Sequence, residues 1–331
     1  MSTIRDVAKK AGVSVSTVSL VLNGHGRKVR IAAATQAHVL SVAKHLGYVP
    51  DRRAQSLRSR KGSNTVGVVF VSDRVPEAFF VDIMQAVQSA ASLEGWETHF
   101  QIMSSKSPET LAALRAMAKE LAGAILVGDR DENLYDSTHP LDFPIVRIGA
   151  GHPDTNRAVV RVDNRHGGRT VGEHLLELGH RRVAIIGPRQ WYTPFEDRRD
   201  GIVETLTNAG LEAPVIESED EPGVEVAHRL YDAGVTATVC LYDRLALRFL
   251  QRLNEAGIAV PHQMSLVSFD DLEWAAFLSP SLTTVRIPRN EMGEAAVRLL
   301  KQLISGEERL LPHVIKPTLM VRDSTAGAVQ V

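Results

Sequence analysis

The sequence holds a single cysteine, Cys240, among 331 residues. One thiol closes no intramolecular disulfide and builds no thiolate zinc site. No run approaches the ~18 apolar residues of a membrane span. The opening stretch, MSTIRDVAKKAG, lacks an apolar segment followed by a small-residue cleavage site. A cytoplasmic chain with no membrane contact, metal or cofactor is expected. Enzyme signatures are missing as well: there is no G-x-S-x-G elbow, no P-loop and no G-x-G-x-x-G after a strand. His180 and His262 stand beside arginine and proline without metal-ligand spacing. Finally, 38 Lys/Arg against 39 Asp/Glu leave a net charge of −1, which at face value argues against a nucleic-acid binder.

The charge average conceals a split. Residues 1–62 carry 12 Lys/Arg and only Asp6 and Asp51 as acids, a net +10, so the remainder is −11. That asymmetry suggests a basic module for a polyanion joined to an acidic body with a different task. At 331 residues the chain has room for two to three domains.

The basic head reads as short helices. Thr3 can cap the first, with Asp6 at its positive end, and Ile4, Val7, Ala8 and Ala11 recur at helical spacing. Gly12 allows the left-handed turn that ends a helix. Ser14 is the next cap, and Val18, Val21 and Leu22 form the inner face of a second helix ending near Asn23-Gly24. This is the pattern of a helix-turn-helix, whose second helix enters the major groove; a generic helical hairpin is the plainer alternative. A third helix spans about Ala33 to Leu46, with Val39, Val42, Ala43 and Leu46 inward and Gly47 as the stop. The segment from Asp51 to Asn64 has one strong hydrophobe, Leu57, among five basic residues, and is too short and polar to fold unaided.

The motifs Thr3-Ile-Arg-Asp-Val-Ala-Lys-Lys-Ala-Gly-Val-Ser14, Ser16-Thr-Val-Ser19, Leu46-Gly-Tyr-Val-Pro50 and Ala54-Gln-Ser-Leu57 resemble the head and hinge of the LacI/GalR family of bacterial transcription regulators. The resemblance implies that Leu57 is a wedge pushed between base pairs from the minor groove. A core leucine is the competing reading, and the polar linker offers it no apolar surroundings. The family's base-reading positions match Val15, Ser16 and Leu20; the two apolar side chains suit thymine methyls and the serine hydroxyl suits either sense of hydrogen bond. Ser14, Thr17 and Ser19 are assigned to phosphates. Thr3, Asn23, Arg27, Tyr48, Ala54, Gln55 and Arg58 complete the DNA-binding set that the resemblance implies. Two departures affect the operator sequence read. The loop Gly24–Arg30 is longer than usual, and Gln55 replaces the arginine common two residues before the hinge leucine.

From Asn64 the pattern becomes alternating strands and helices. Strands are expected at Thr65–Val71, Trp96–Met103, Ala124–Val127, Ile145–Ile148, Val183–Ile186, Val215–Ile216, Thr238–Leu241 and Ser265–Phe269. Helices are expected at Phe79–Leu93, Gly167–Leu178, Arg198–Ala209 and Arg244–Ala256. Repeated β-α units imply two doubly wound parallel sheets with ligands at the strand carboxyl ends. The fold class is therefore α/β, a small all-α head plus two parallel-sheet subdomains. Further markers, Val162-Asp-Asn164, Leu178–Gly187, Arg198–Gly201, Ser265–Asp271 and Arg322-Asp-Ser-Thr325, extend the resemblance to a body similar to a periplasmic binding protein. The domain expectation is a head over 1–50, a hinge over 51–63 and a body over 64–331. Within the body, one subdomain covers about 64–163 plus 289–318, and the other about 164–288 plus 319–331.

Positions matching the family's effector contacts are Ser72, Asp73, Phe79, Phe80, Trp191, Thr193, Arg198, Asp220, Asp243 and Asp270. Carboxylates accept from paired hydroxyls, arginine donates a planar fork and aromatic rings cover a sugar's apolar face. The set suits a saccharide or polyol, or a sugar acid. Asp243 and Asp270 have an equal alternative as helix caps, and Phe80 reads better as core. The functional expectation is a homodimeric repressor of carbohydrate-utilisation genes, released from a palindromic operator by a sugar-like inducer. A corepressed or activating regulator with a non-sugar effector is the alternative, and a sugar-binding protein or enzyme a remote one.

Overall fold

A computed structural model describes residues 4–22, 29, 31–46, 63–71, 78–103, 108–128, 143–149, 158–189, 191–212, 215–217, 222–307 and 310–328. The chain divides into two compact units, Met1–Gly62 and Ser63–Val331.

In the first unit, α1 (Ile4–Ala11), α2 (Val15–Leu22) and α3 (Ala33–His45) pack around Val7, Ala8, Ala11, Val18, Val21, Val39, Val42 and Ala43. Gly12 adopts φ +65°, and the Val13 N–H donates to the Ala8 carbonyl at 3.2 Å. Together these close α1 in a Schellman turn. Ser14 then caps α2, its Oγ accepting from the Thr17 N–H at 3.1 Å. The helix-turn-helix expected from Gly12 and Ser14 is thus built by those two residues.

The second unit contains two six-stranded sheets. In the first, β1 (Thr65–Val71), β2 (Glu97–Met103), β3 (Gly123–Val127), β4 (Ile145–Ile148), β5 (Val159–Val162) and β11 (His313–Ile315) lie in the order β11-β5-β4-β3-β1-β2, all parallel. In the second, β6 (Val183–Gly187), β7 (Val215–Glu217), β8 (Ala237–Cys240), β9 (Ser265–Asp270), β10 (Thr283–Arg286) and β12 (Thr318–Met320) lie in the order β12-β10-β9-β8-β6-β7. Only the β10–β12 pair is antiparallel among the described strands. The chain passes between the sheets three times: after β5, after β10 and between β11 and β12.

Helices α4 (Ala78–Leu93) and α10 (Arg289–Ser305) cover one face of the first sheet, where Ile83, Val87, Met292, Ala296 and Leu300 meet Val68, Phe70, Ile125 and Val146. Helix α5 (Pro108–Glu120) places Leu114 and Met117 on the other. On the second sheet, α8 (Val224–Asp232) and α9 (Asp243–Glu255) cover one face, and α6 (Asn164–Glu177) and α7 (Thr193–Asn208) the other. Helices α6 and α7 approach closely because both contribute glycine. A Cβ on Gly168 would lie 2.2 Å from the Arg198 carbonyl oxygen, and one on Gly201 would lie 2.1 Å from that of Arg165. Among the described residues no helix is long and apolar enough to cross a membrane.

Two helix starts differ from the sequence reading. Helix α7 begins at Thr193 rather than Arg198, with Pro194 in its first turn and Glu196 at its positive end, both start signals. Helix α6 begins at Asn164 rather than Gly167, because Asp163 caps it through the His166 N–H at 2.9 Å. Strands β5, β10, β11 and β12, helices α5, α8 and α10, and a 3-10 turn at Glu273–Phe277 were outside the expected set.

Candidate DNA-reading helix and ligand site

Helix α2 buries Val18 and Val21 and leaves Val15 and Ser16 exposed, with Ser19 and Leu20 half-buried one turn on. Val15, at 41% exposure, is a β-branched apolar side chain held in water at a helix start. Ser14 and Thr17 are joined Oγ to Oγ1 at 2.9 Å, so the cap and the first turn form one polar edge beside the Val15–Ser16–Leu20 surface. The expected contacts Thr3, Asn23, Arg27, Tyr48, Ala54, Gln55, Leu57 and Arg58 lie outside the described residues.

The second site forms at the carboxyl ends of the second sheet. Arg198, on α7, has a side chain only 6% exposed. Its Nε donates to Asn164 Oδ1 at 2.9 Å, its Nη1 to the Leu241 carbonyl at 2.6 Å, and its Nη2 to Asp270 Oδ1 at 3.2 Å. The guanidinium carbon lies 4.8 Å from the Phe269 ring centre and 5.6 Å from that of Phe195, within cation–π range. Phe195 continues an aromatic row, 6.3 Å from Tyr192 and 5.7 Å from Tyr242. A planar cation, a carboxylate and ring faces are thereby brought together, a set able to bind hydroxyls and cover a carbon skeleton.

Asp270 ends β9 with φ 111°, and Asp271 follows at 50°. Such backbone costs about 1–3 kcal/mol per residue and persists only where surroundings hold it. Arg289, the first residue of α10, donates from Nη1 to the Asp270 carbonyl and from Nη2 to that of Asp271 at 3.0 Å. The Asp271 carboxylate is clamped by Arg286 and Arg322, each at 2.6 Å. Arg289 also pairs with Asp82 of α4 at 3.1 Å and lies 5.9 Å from the Phe79 ring centre. One side chain therefore ties the strained end of the second sheet to the first helix over the other.

The remaining expected contacts separate. Phe79 joins the Arg289 end of the site, whereas Phe80 packs on core Phe70 at 5.1 Å. Trp191 lies against Gly187, where a Cβ would sit 2.4 Å from its ring, with Arg199 5.1 Å over its face. Thr193 is exposed at the start of α7. Asp243 is fully buried: Oδ1 accepts from Thr284 Oγ1 at 2.7 Å and Oδ2 from the Leu272 N–H at 2.8 Å. Both oxygens therefore brace β10 and the β9 exit, and neither caps α9. Burial, then the Asp270 charge, pushes the Asp243 carboxyl well above the usual range. Ser72, Asp73 and Asp220 lie outside the described residues.

Sequence reasoning missed Asn164, Phe195, Tyr242 and Arg289. Asn164 carried a signal, as part of the Val162-Asp-Asn164 motif. Arg289 carried a weaker one, following Pro288 at a helix start. Nothing local marks Tyr242 or Phe195.

The model for bacterial regulatory proteins of the lacI family matches residues 3–51, and that for a periplasmic binding protein-like domain matches 172–325. The HTH-type transcriptional regulator MalR of Streptomyces coelicolor is 32% identical over 348 residues, covering 98% of this chain and 97% of that protein. The HTH-type transcriptional repressor PurR of Mannheimia succiniciproducens is 30% identical over 338 residues, covering 98% of each. Among solved structures, a lac repressor dimer bound to operator and the anti-inducer ONPF has a TM-score of 0.83 at 25% identity, covering 98% of this chain and 99% of that one. A transcriptional regulator CelR–cellobiose complex has a TM-score of 0.70 at 29% identity, covering 98% and 100%.

Proposed function

This chain belongs to the LacI family of bacterial transcriptional regulators, and from that premise we propose that it is a homodimeric repressor released from its operator by a small polyhydroxylated ligand. Two heads about one helical turn apart would read a near-palindromic site in successive major grooves. The protein acts where its DNA is, in the cytoplasm on the nucleoid. The observation that carries the reading is that one chain holds both an exposed α2 reading face and a strand-end Arg198–Asp270 pair. A ligand at that pair touches the Asp270 turn, which Arg289 joins to α4. It shifts the equilibrium only by its differential affinity for the two arrangements of the sheets. Val15 and Leu20 suit thymine methyls, and Ser16 a base-edge hydrogen bond. Leu57 is the proposed minor-groove wedge. The related structures bound to cellobiose or to operator with ONPF support a carbohydrate-type effector.

The test selects genomic fragments with the full-length protein, then titrates the selected site with a panel of sugars and polyols. One sequence is expected to bind at least a thousandfold above random duplex, and one ligand to release it. Equal affinity for every duplex overturns the reading, and ligand-strengthened binding replaces induction with corepression.

A further inference from the structure

The first sheet carries a feature that the Arg198–Asp270 pair does not use. On adjacent parallel strands, Arg147 of β4 stands opposite Val159 of β5. Strand side chains alternate between faces, so Arg147, Val159 and Arg161 share one face. Leu126, opposite Arg147 on β3, shares it too. The rest of that face is apolar: Val69, Val71, Ala124, Leu126 and Ile145 form its core. Two guanidinium groups therefore sit on neighbouring strands of an apolar face, each one residue before its strand ends. Arg147 is buried, and Arg161 is half-buried, with its Nε enclosed and without a hydrogen-bond partner among the described residues. Buried polar groups are nearly always satisfied, so this Nε calls for a partner such as an ordered water, an ion or a ligand group.

Position connects this pair to the ligand site. The chain leaves β5 at Val162, whose carbonyl accepts from Asn164 Nδ2 at 3.3 Å, and Asn164 Oδ1 holds Arg198. Arg161 thus lies three residues before the side chain that sets the Arg198 fork, at the carboxyl edge of the first sheet. Burial lifts the carboxyl of Asp197, the residue before Arg198, while the charges of Arg165 and Arg161 draw it back. Arg165 has its own partners, Glu204 at 3.1 Å and Asp200 at 3.9 Å. Among the described residues no carboxylate forms an ion pair with Arg161.

We propose that Arg161, with Arg147 beside it, receives an acidic group of the effector whose hydroxyls meet Arg198 and Asp270. The ligand class is then a polyhydroxylated acid, a sugar carboxylate or a sugar phosphate, rather than a neutral sugar. A guanidinium suits either anion through paired N–H donors. The inference rests on the regulator reading above, because it assigns a ligand to that reading's sensor site.

The experiment measures binding of matched ligands to the full-length protein by titration calorimetry. Glucuronate and glucose 6-phosphate are set against glucose, gluconate against sorbitol, ribose 5-phosphate against ribose, and inorganic phosphate is run alone. At least one acid is expected to bind tenfold or more tightly than its neutral parent, and the carboxylate and phosphate arms identify which anion. In Arg161→Gln that acid loses at least tenfold while its parent changes less than twofold; Arg161→Lys restores part of the loss. Should Arg161→Gln fail to fold, inorganic phosphate competes with the acid on the wild-type protein and leaves the neutral parent in place. The proposal is overturned if no acid binds, if neutral parents bind as well, or if Arg161→Gln weakens both alike. Operator binding by the ligand-free wild type is read separately. Its absence sinks the regulator reading, whereas the acid preference stands or falls on calorimetry alone.

Discussion

Arg198 Nη2 meets Asp270 Oδ1 at 3.2 Å, joining α7 to the end of β9 across 72 residues of sequence. Two further donors of that fork, Nε and one N–H of Nη1, go to Asn164 Oδ1 and the Leu241 carbonyl. The guanidinium plane is therefore set before any ligand arrives, which removes part of the ordering cost of binding.

Asp270→Ala leaves a nearly buried cation without its carboxylate. Breaking a buried pair in this way costs about 3–5 kcal/mol. Asp270→Asn keeps an acceptor and costs less. Both are expected to lose ligand binding, but only the alanine variant to lose most of its stability in urea melts. Equal losses in the two would show that the charge, not a remaining acceptor, holds Arg198, and wild-type stability in both would show that Arg198 does not depend on Asp270.

Gly201→Ala places a Cβ against the Arg165 carbonyl, 2.1 Å away before any relaxation. The backbone of α6 cannot yield as a side chain would, so α7 must shift and carry Arg198 with it. Overpacking of this kind costs about 1–3 kcal/mol. Weaker ligand binding is expected alongside a lower Tm, although residue 201 is a glycine without a side chain to offer the ligand. Unchanged ligand affinity in a folded Gly201→Ala protein would falsify this account of how α6 positions the fork.

The legible parts of this fold are those written locally. Thr65–Val71 and Ile145–Ile148 are found where their apolar runs place them. Gly12 and Ser14 make the turn and cap that their residue types allow. The start of helix α7 is not legible locally, because Trp191-Tyr-Thr-Pro-Phe195 mixes large rings with proline and the helical period becomes plain only beyond Arg198. Asp243 illustrates the other limit. Its partners, Leu272 and Thr284, are 29 and 41 residues away, and no local pattern reveals that a strand-end carboxylate is sealed by them. An arginine inside Val-Val-Arg-Val162 is a legible anomaly, yet its meaning depends on the neighbouring strand.

Arg289→Met removes the tie between the Asp270–Asp271 carbonyls and Asp82 while keeping a long side chain over Phe79. If this tie couples ligand to operator, the ratio of operator affinities without and with saturating ligand should fall toward one. Coupling free energies of 1–3 kcal/mol are typical, a 5–150-fold ratio. Fluorescence anisotropy on a labelled operator measures it. A ratio equal to wild type would move the coupling elsewhere.

On the DNA side, Leu20→Ala shortens a half-buried side chain beside the exposed Val15–Ser16 edge of α2; with Leu20 on a thymine methyl as proposed, it is expected to weaken operator binding by about 1–3 kcal/mol, the scale of losing one base-pair contact. Binding to random duplex should hardly change. The salt response separates this from phosphate contact: log affinity falls with log salt by about 0.9 per phosphate neutralised, and Leu20→Ala should leave that slope intact. A shallower slope in the variant would mean that α2 had been displaced, not that a base contact had been lost.

His180 gives the molecule a pH limit. Its ring is buried, with Nε2 3.0 Å from the Ala326 carbonyl and Nδ1 2.9 Å from Thr236 Oγ1. A carbonyl only accepts, so Nε2 carries the proton and Nδ1 accepts from the threonine hydroxyl. Burial lowers the His180 pKa, opposed by the Ala326 hydrogen bond and assisted by His174; burial lowers His174 as well. A depressed folded-state pKa means that the unfolded chain takes up protons first. The associated stability is therefore present above the ordinary histidine value of about 6.5 and is lost as pH falls below it toward the folded-state value. The Tm of the full-length protein should drop between pH 7 and pH 5. In His180→Asn, lower in stability by about 0.5–1.5 kcal/mol at pH 7 through the lost ring hydrogen bonds, that drop should be smaller. An equally steep drop in the variant would assign the acid sensitivity to other groups.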